Sequence, residues 1–190
     1  MVDNDGSRLT LRGSRPRDPV TTAWLASAEA FQPYSRCMHQ IAPHHSVERS
    51  LLGAFLPEGM MFPFDFGFVP STLGDDGDPL DILVLMDAPA HVGCLIDVRI
   101  IGVIEAVQIQ DGKKERNGRL FGAAVHSYEH DHLESIDDIR KSRLSQIEEF
   151  FVSYNKQRGK KFKITDTAGP KKAIKFLQAG IQAHKHAKKK

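Results

Sequence analysis

Residues 76–81 read Asp76-Gly77-Asp78-Pro79-Leu80-Asp81 and run directly into Ile82-Leu83-Val84-Leu85-Met86. Three carboxylates therefore stand at the mouth of an unbroken apolar run. A short apolar run bounded by turn residues predicts a strand buried on both faces. Gly77 permits a tight turn, and Pro79 fixes its own φ and removes a competing N–H. The acidic groups are thus carried on a stiff strand edge. Hard divalent cations such as Mg²⁺ favour such a set: a few fixed carboxylate oxygens, with water and phosphate oxygens completing the shell. Acidic turns with Gly and Pro are also common at strand ends, with no role beyond staying wet. The third carboxylate, Asp81, and the buried strand behind it favour the metal reading. A calcium EF-hand loop is excluded, because Leu80 and Asp81 stand where that loop needs an oxygen ligand and a glycine.

The chain has 190 residues, enough for one domain with a sizeable core, and its 41% hydrophobic and 26% charged content is that of a globular protein. No apolar stretch approaches the ~20 residues of a membrane span. The N-terminus carries Asp3 and Asp5 and lacks an apolar signal region, so residues 1–20 are expected to be a flexible tail. A single domain is expected over 21–186 and a basic tail over 187–190. Cys37 and Cys94 have no metal-type spacing and suit a reducing cytoplasm. Charge is polarised along the chain. Residues 1–112 hold seven arginines, no lysine and fifteen carboxylates, a net of −8; residues 113–190 hold nineteen basic and nine acidic residues, a net of +10. Most of those lysines read as a solvated helical surface.

Leu80–Met86, Cys94–Ala106 and Arg119–Val125 are apolar, β-branched runs separated by turn residues and read as strands. Asp111-Gly112-Lys113 marks a hairpin between the second and third. Ser135 with Asp138 predicts a capped helix opening near Ile136. An apolar stripe at 144, 147, 150, 151 and 154 predicts an amphipathic helix, and a second helix follows Gly169-Pro170. Residues 21–50 show no clean period and receive no assignment. Strands followed by two packing helices give an α+β protein with a small barrel.

Upstream of the acidic turn lies Leu56-Pro57-Glu58-Gly59-Met60-Met61-Phe62-Pro63-Phe64-Asp65-Phe66-Gly67-Phe68. With Asp76-Gly77-Asp78-Pro79-Leu80-Asp81, this resembles the soluble (family I) inorganic pyrophosphatases of the bacterial subgroup. Gly102-Val103-Ile104-Glu105 and Phe150-Phe151-Val152-Ser153-Tyr154-Asn155 support the resemblance, which runs from about Leu56 to about Lys175. It implies an OB-like five-stranded antiparallel β-barrel with two flanking C-terminal helices. It also implies Mg²⁺-dependent hydrolysis of pyrophosphate to phosphate by a cytoplasmic homo-oligomer. By matched position, Asp76, Asp78 and Asp81 become metal ligands, with Asp81 shared between two ions. Asp78 orients and deprotonates the attacking water, while Arg119 and Tyr154 contact substrate phosphate. Tyr154 also lies on the apolar stripe, where core packing is an equal alternative.

The chain departs from the family at several positions. Ala54 stands where a phosphate-binding cation is usual, and the N-terminal Glu and Lys have no counterpart. Asn117 replaces an acidic metal ligand, Asn155 replaces a lysine, and Phe62 and Phe66 stand where many members carry Tyr. The substitutions at Asn117, Asn155, Phe62 and Phe66 read as subgroup habit, whereas the N-terminal losses point to weakened turnover, or to a catalytically degenerate relative that serves as a binding or interaction module. An OB-type nucleic-acid binder is the weakest reading, because the aromatic residues cluster with carboxylates rather than with basic residues. The histidines His126, His130 and His132 read as polar loop rather than as a metal cluster.

Overall fold

The apolar run behind the acidic turn pairs on both sides, and a barrel closes around it. A computed structural model of the chain describes residues 20–25, 37–40, 51–57, 59–91, 94–110 and 112–189. Among these the strands are β1 (Val20–Leu25), β2 (Cys37–Gln40), β3 (Leu51–Phe55), β4 (Asp65–Phe68), β5 (Asp81–Leu85), β6 (Leu95–Gln110), β7 (Lys113–Arg116), β8 (Arg119–Ala124) and β9 (Lys161–Ala168). A 3₁₀ turn (Ile136–Asp138) and helix α1 (Lys141–Gln157) precede β9, and helix α2 (Pro170–Ala187) follows it. Strand β1 pairs with both β4 and β6, and β5 and β8 complete the circuit between those two. The α+β five-stranded barrel with two C-terminal helices is therefore present. Four of its five pairings are antiparallel, and the fifth, β5 with β8, is parallel. A closed ring of five requires this. Direction reverses at each antiparallel step, so an odd circuit closes only if one step is parallel.

Both faces of β5 are covered. Leu83 and Leu85 pack with Phe66, Phe121 and the α1 residues Ile147 and Phe151. Ile82 and Val84 pack with Val98, Leu120 and the α2 residues Ala173 and Leu177. From Ile82 to Leu85 no position is left to face water, which explains the continuous apolar run. Strand β6 is sixteen residues long and serves both sides. Its even positions Val98 and Ile100 join the α2 side, whereas Ile104 and Ala106 join the α1 side. The register against β8 shifts between Ile100 and Gly102. One extra residue there reverses the alternation.

The helices follow the predicted faces. Ile147, Phe151 and Tyr154 are the buried stripe of α1, and α2 opens on Pro170. Ser135 and Asp138 do form a capping box, but it closes only the 3₁₀ turn. The chain is extended at Ile139, and α1 begins afresh at Lys141. The hairpin after β6 leads into β7 and not straight into β8. Strand β1 lies in the stretch left unassigned from sequence. The tail expected over 1–20, apart from Val20, falls outside the described residues, as does Asp111 of the hairpin turn.

Asp65 opens β4 opposite Val84 and is only 5% exposed. Its Oδ1 has no hydrogen-bond partner among the described residues. Burial pushes its pKa from 3.8 up to about 6, against a hydrogen bond from the Ala90 backbone N–H. The folded state thus keeps a proton that the unfolded chain releases near 3.8. That contribution to stability is complete below the unfolded value and is lost as pH rises through about 6. Asp65→Asn, which stays neutral, should melt higher than the parent at neutral pH, by about 2–4 °C per kcal/mol gained. The difference should vanish in acid. Thermal unfolding across this pH range checks it; parallel pH profiles for the two proteins would show that Asp65 titrates alike in both states.

Candidate active site

The parallel pair β5–β8 brings two distant segments together. Its register sets Ile82 beside Leu120, so the preceding residues, Asp81 and Arg119, meet at the shared end of the two strands. Nη1 of Arg119 lies 2.8 Å from Oδ2 of Asp81, and the Arg119 side chain is only 7% exposed. The same nitrogen donates to Oδ1 of Asn117 and to the Gly118 carbonyl. The rings of Phe66, Phe151 and Phe162 surround the guanidinium, with centroids 5.6–5.9 Å away. Aromatic faces attract a cation held at this range.

Backbone hydrogen bonds build the acidic turn. Gly74 N–H donates to the Asp78 carbonyl at 2.7 Å, and Asp78 N–H donates to Oδ1 of Asp76 at 3.2 Å. Gly77 takes φ +87°, which a side chain rarely tolerates. Behind the turn, the buried Thr72 hydroxyl donates to the Val69 carbonyl at 2.6 Å and accepts from Leu80 N–H at 2.9 Å. Helix α2 braces the other side. Leu73 N–H donates to the Gly180 carbonyl at 3.0 Å, and a Cβ on Gly180 would sit 2.5 Å from Cδ1 of Leu80. Neither Thr72 nor Gly180 carries a local sequence signal for this role, since each acts on a loop distant along the chain or through a buried hydroxyl.

The electrostatics reflect burial first and crowding of like charge second. Burial raises the Asp81 pKa to about 6; Arg119 opposes this, and the charges of Asp76 and Asp78 add to it. Desolvation in the cleft raises the Asp76 pKa, against the hydrogen bond from Asp78 N–H, and the Asp78 charge contributes. A cleft of about 130 Å³ opens between this turn and α2, lined by Asp76, Asp81, Arg116, Asn117, Phe176 and Ala183 among others. Arg116 was not singled out from sequence; it stands one residue before the Asn117-Gly118-Arg119 segment, at the end of β7.

The family model for inorganic pyrophosphatase matches residues 35–185. The chain belongs to the inorganic pyrophosphatase family. The pyrophosphatase of Geobacillus stearothermophilus is 35% identical over 129 residues, covering 68% of this chain and 76% of that one. That of Nostoc sp. is 34% identical over 139 residues, covering 73% and 80%. The crystal structure of the Thermus thermophilus pyrophosphatase superposes with a TM-score of 0.75 at 27% identity, over 91% of this chain and 95% of that one. Membership implies a divalent-metal cofactor and pyrophosphate as substrate.

The other residues singled out from sequence fall around this cleft in different ways. Asp76, Asp78, Asp81 and Arg119 come together. Tyr154 is 5% exposed and reaches them through rings: Phe62 lies 6.1 Å from Tyr154 and stacks on Phe66 at 4.6 Å. Arg158, one helical turn beyond Tyr154, donates Nη1 to its hydroxyl and covers its ring at 5.3 Å. Asn155 is buried and donates Nδ2 to the Phe151 carbonyl at 2.8 Å, an interaction within α1. Asp87, Glu129 and His130 bring possible ligand atoms within 4.8 Å of one another. Asp87 accepts from the Ser127 hydroxyl and from the N–H groups of Tyr128 and Glu129, so it braces that loop. These bonds, Ser127 foremost, hold its pKa down to about 2.

The bracing by α2 has a direct test. Gly180→Val should cost about 1–3 kcal/mol, the usual range for overpacking, because its side chain meets Leu80 between Pro79 and Asp81. Thermal unfolding measures the loss; a melting temperature equal to the parent would show that α2 and the turn can separate freely.

Proposed function

We propose that this pyrophosphatase hydrolyses inorganic pyrophosphate to two phosphates in a Mg²⁺-dependent reaction, at a rate lowered by missing phosphate-binding cations. The observation that carries this reading is the acidic turn, with three carboxylates on one stiff loop at the end of β5. The donor set fits a hard divalent cation: Asp76, Asp78 and Asp81 offer only oxygen, and the Asn117 carboxamide lines the same cleft. Burial, and secondarily the neighbouring carboxylates, raise the pKa of Asp76 and Asp81, and a bound dication would offset both effects.

Bound divalent cations supply charge neutralisation and acidification of water. The chain's own residues do the rest. Asp76, Asp78 and Asp81 would hold the cations. Asp78 orients the attacking water and takes its proton as the water oxygen bonds to phosphorus and the bridging P–O bond breaks. Tyr154, with Arg158 on its hydroxyl, contacts a phosphate. The resemblance assigns Arg119 the same role, although its direct partner is Asp81. Ala54 in β3 brings no charge, and Asn155 is committed to its own helix. Loss of one electrostatic donor at such a site costs about 2–4 kcal/mol of transition-state stabilisation. The uncharged Ala54 favours weakened turnover over full family activity.

No helix among the described residues is long and apolar enough to cross a membrane. A cytoplasmic setting belongs to the same proposal and is supported by Cys94, which is free. So does assembly into a homo-oligomer, supported by the exposed Leu95 and Val125 on neighbouring strand ends.

Millimolar Mg²⁺ should raise the melting temperature over that in chelator, because it relieves the carboxylate repulsion only in the folded state. Asp76→Ala should remove most of that gain; an equal gain in both proteins would take the cation away from this turn. Phosphate release from pyrophosphate, with and without Mg²⁺, tests the reaction itself. Asp78→Asn should lose orders of magnitude in kcat while keeping the Mg²⁺-dependent stabilisation. Unchanged turnover would remove Asp78 as the proton acceptor.

A further inference from the structure

We propose that Arg119 is the internal counter-ion of Asp81, a positioning residue that stabilises the metal-free turn and sets how tightly divalent cations bind there. The inference rests on reading the acidic turn as the metal site, and it gives Arg119 a role different from phosphate contact.

Three observations carry it. The first is confinement. The guanidinium is enclosed by Phe66, Phe151 and Phe162, all within 5.9 Å, and its side chain is 7% exposed. Its Nε is buried and has no hydrogen-bond partner among the described residues, so that side of the fork is closed to an incoming anion. The second is partner choice. Nη1 lies 2.8 Å from Oδ2 of Asp81 and donates to Oδ1 of Asn117 and to the Gly118 carbonyl, and Asp81 is the one carboxylate paired with it among the described residues. Asn117 is held in register by donating Nδ2 to Oε1 of Gln108 at 3.1 Å, which leaves its oxygen for Arg119. A neutral residue at 117 concentrates the whole cation on Asp81.

The third is topology. Asp81 and Arg119 open two parallel strands paired at Ile82 and Leu120, so their backbones are fixed relative to each other. The guanidinium is a planar fork on a rigid strand inside an aromatic cage, and a lysine would place a mobile point charge there instead. Such a cation neutralises Asp81 when nothing else does. It also repels a dication brought to the same carboxylate. Arg119 therefore secures the turn when it is empty and lowers its affinity for metal.

Thermal unfolding of the full chain tests this in chelator and through a Mg²⁺ titration, with no substrate present. Arg119→Met fills the cage with an apolar, adaptable side chain. Relative to the parent it should melt lower in chelator and gain more from Mg²⁺. Its half-saturating Mg²⁺ concentration should fall on the order of tenfold, as expected when a like charge a few ångströms away is removed. Arg119→Lys keeps the charge, and its half-saturation should stay close to the parent's. Should Arg119→Met alone fail to fold, Arg119→Met with Asp81→Asn removes both members of the pair and should recover the metal-free stability, because an orphaned buried charge costs more than a missing pair.

Three results overturn the inference. Equal half-saturation in Arg119→Met and the parent is one. Loss of stabilisation by inorganic phosphate in Arg119→Met, with the Mg²⁺ response unchanged, returns Arg119 to phosphate contact. Full Mg²⁺ stabilisation retained in Asp81→Ala removes the metal reading of the turn, and the counter-ion role falls with it.

Discussion

A closed ring of five strands cannot reverse direction at every step, and the site forms at the one step where it does not. In an antiparallel pair, the start of one strand lies beside the end of the other. Had β5 and β8 paired that way, Asp81 and Arg119 would stand at opposite ends of the barrel. Their parallel register, with Ile82 beside Leu120, places both strand openings on one rim. The loops that feed those strands, the acidic turn and Asn117-Gly118, converge for the same reason. A slip of one residue would turn Asp81 to the opposite face of β5. The buried residues on both faces of that strand prevent the slip.

The aromatic segment then does two things at once. Phe66 and Phe151 belong to the core between barrel and α1, and they also face the Arg119 guanidinium. Phe62 stacks on Phe66 with their planes within 2°, and extends this wall to Tyr154. A cation in such surroundings is poorly hydrated, so its interaction with Asp81 is stronger than an exposed pair would be. The opposite side of the turn is held without charge. Leu73 bonds to the backbone of α2 at Gly180, where a missing side chain lets helix and loop touch.

The polarity of charge along the chain has a more modest role. Most lysines of the second half are solvent-exposed, as a helical surface requires. Lys172 is partly engaged, bonding Glu105 at 2.6 Å and Asp166 at 2.8 Å, and so pins the start of α2 to β6 and β9. Among the described residues, Arg116 lines the cleft, and Arg119 and Arg158 lie against its aromatic wall. The family match begins at residue 35, upstream of the motif-bearing segment, and takes in β2 and β3. Ala54 stands within β3, paired with Met38. A strand therefore exists where a phosphate-binding cation is usual, and what differs is the side chain it carries.

Local chemistry alone determined the acidic turn, the buried strand behind it, the stripe of α1 and the Gly169-Pro170 start of α2. Each of these is written in neighbouring residues: a glycine that accepts positive φ, an apolar run, a 3.6-residue period, a proline that tolerates the first helical position. Strands β1 and β9 were not legible. The sequence Lys161–Ala168 alternates only weakly, and its strand exists because it pairs with β6, more than fifty residues earlier. Tyr154 could not be told apart as core or site, because it lies on the helical face that meets the aromatic cluster. The partner of Arg119 was likewise beyond sequence reading. Asp81 and Arg119 are thirty-eight positions apart, and only barrel closure, with its single parallel step, brings a carboxylate and a guanidinium within 2.8 Å.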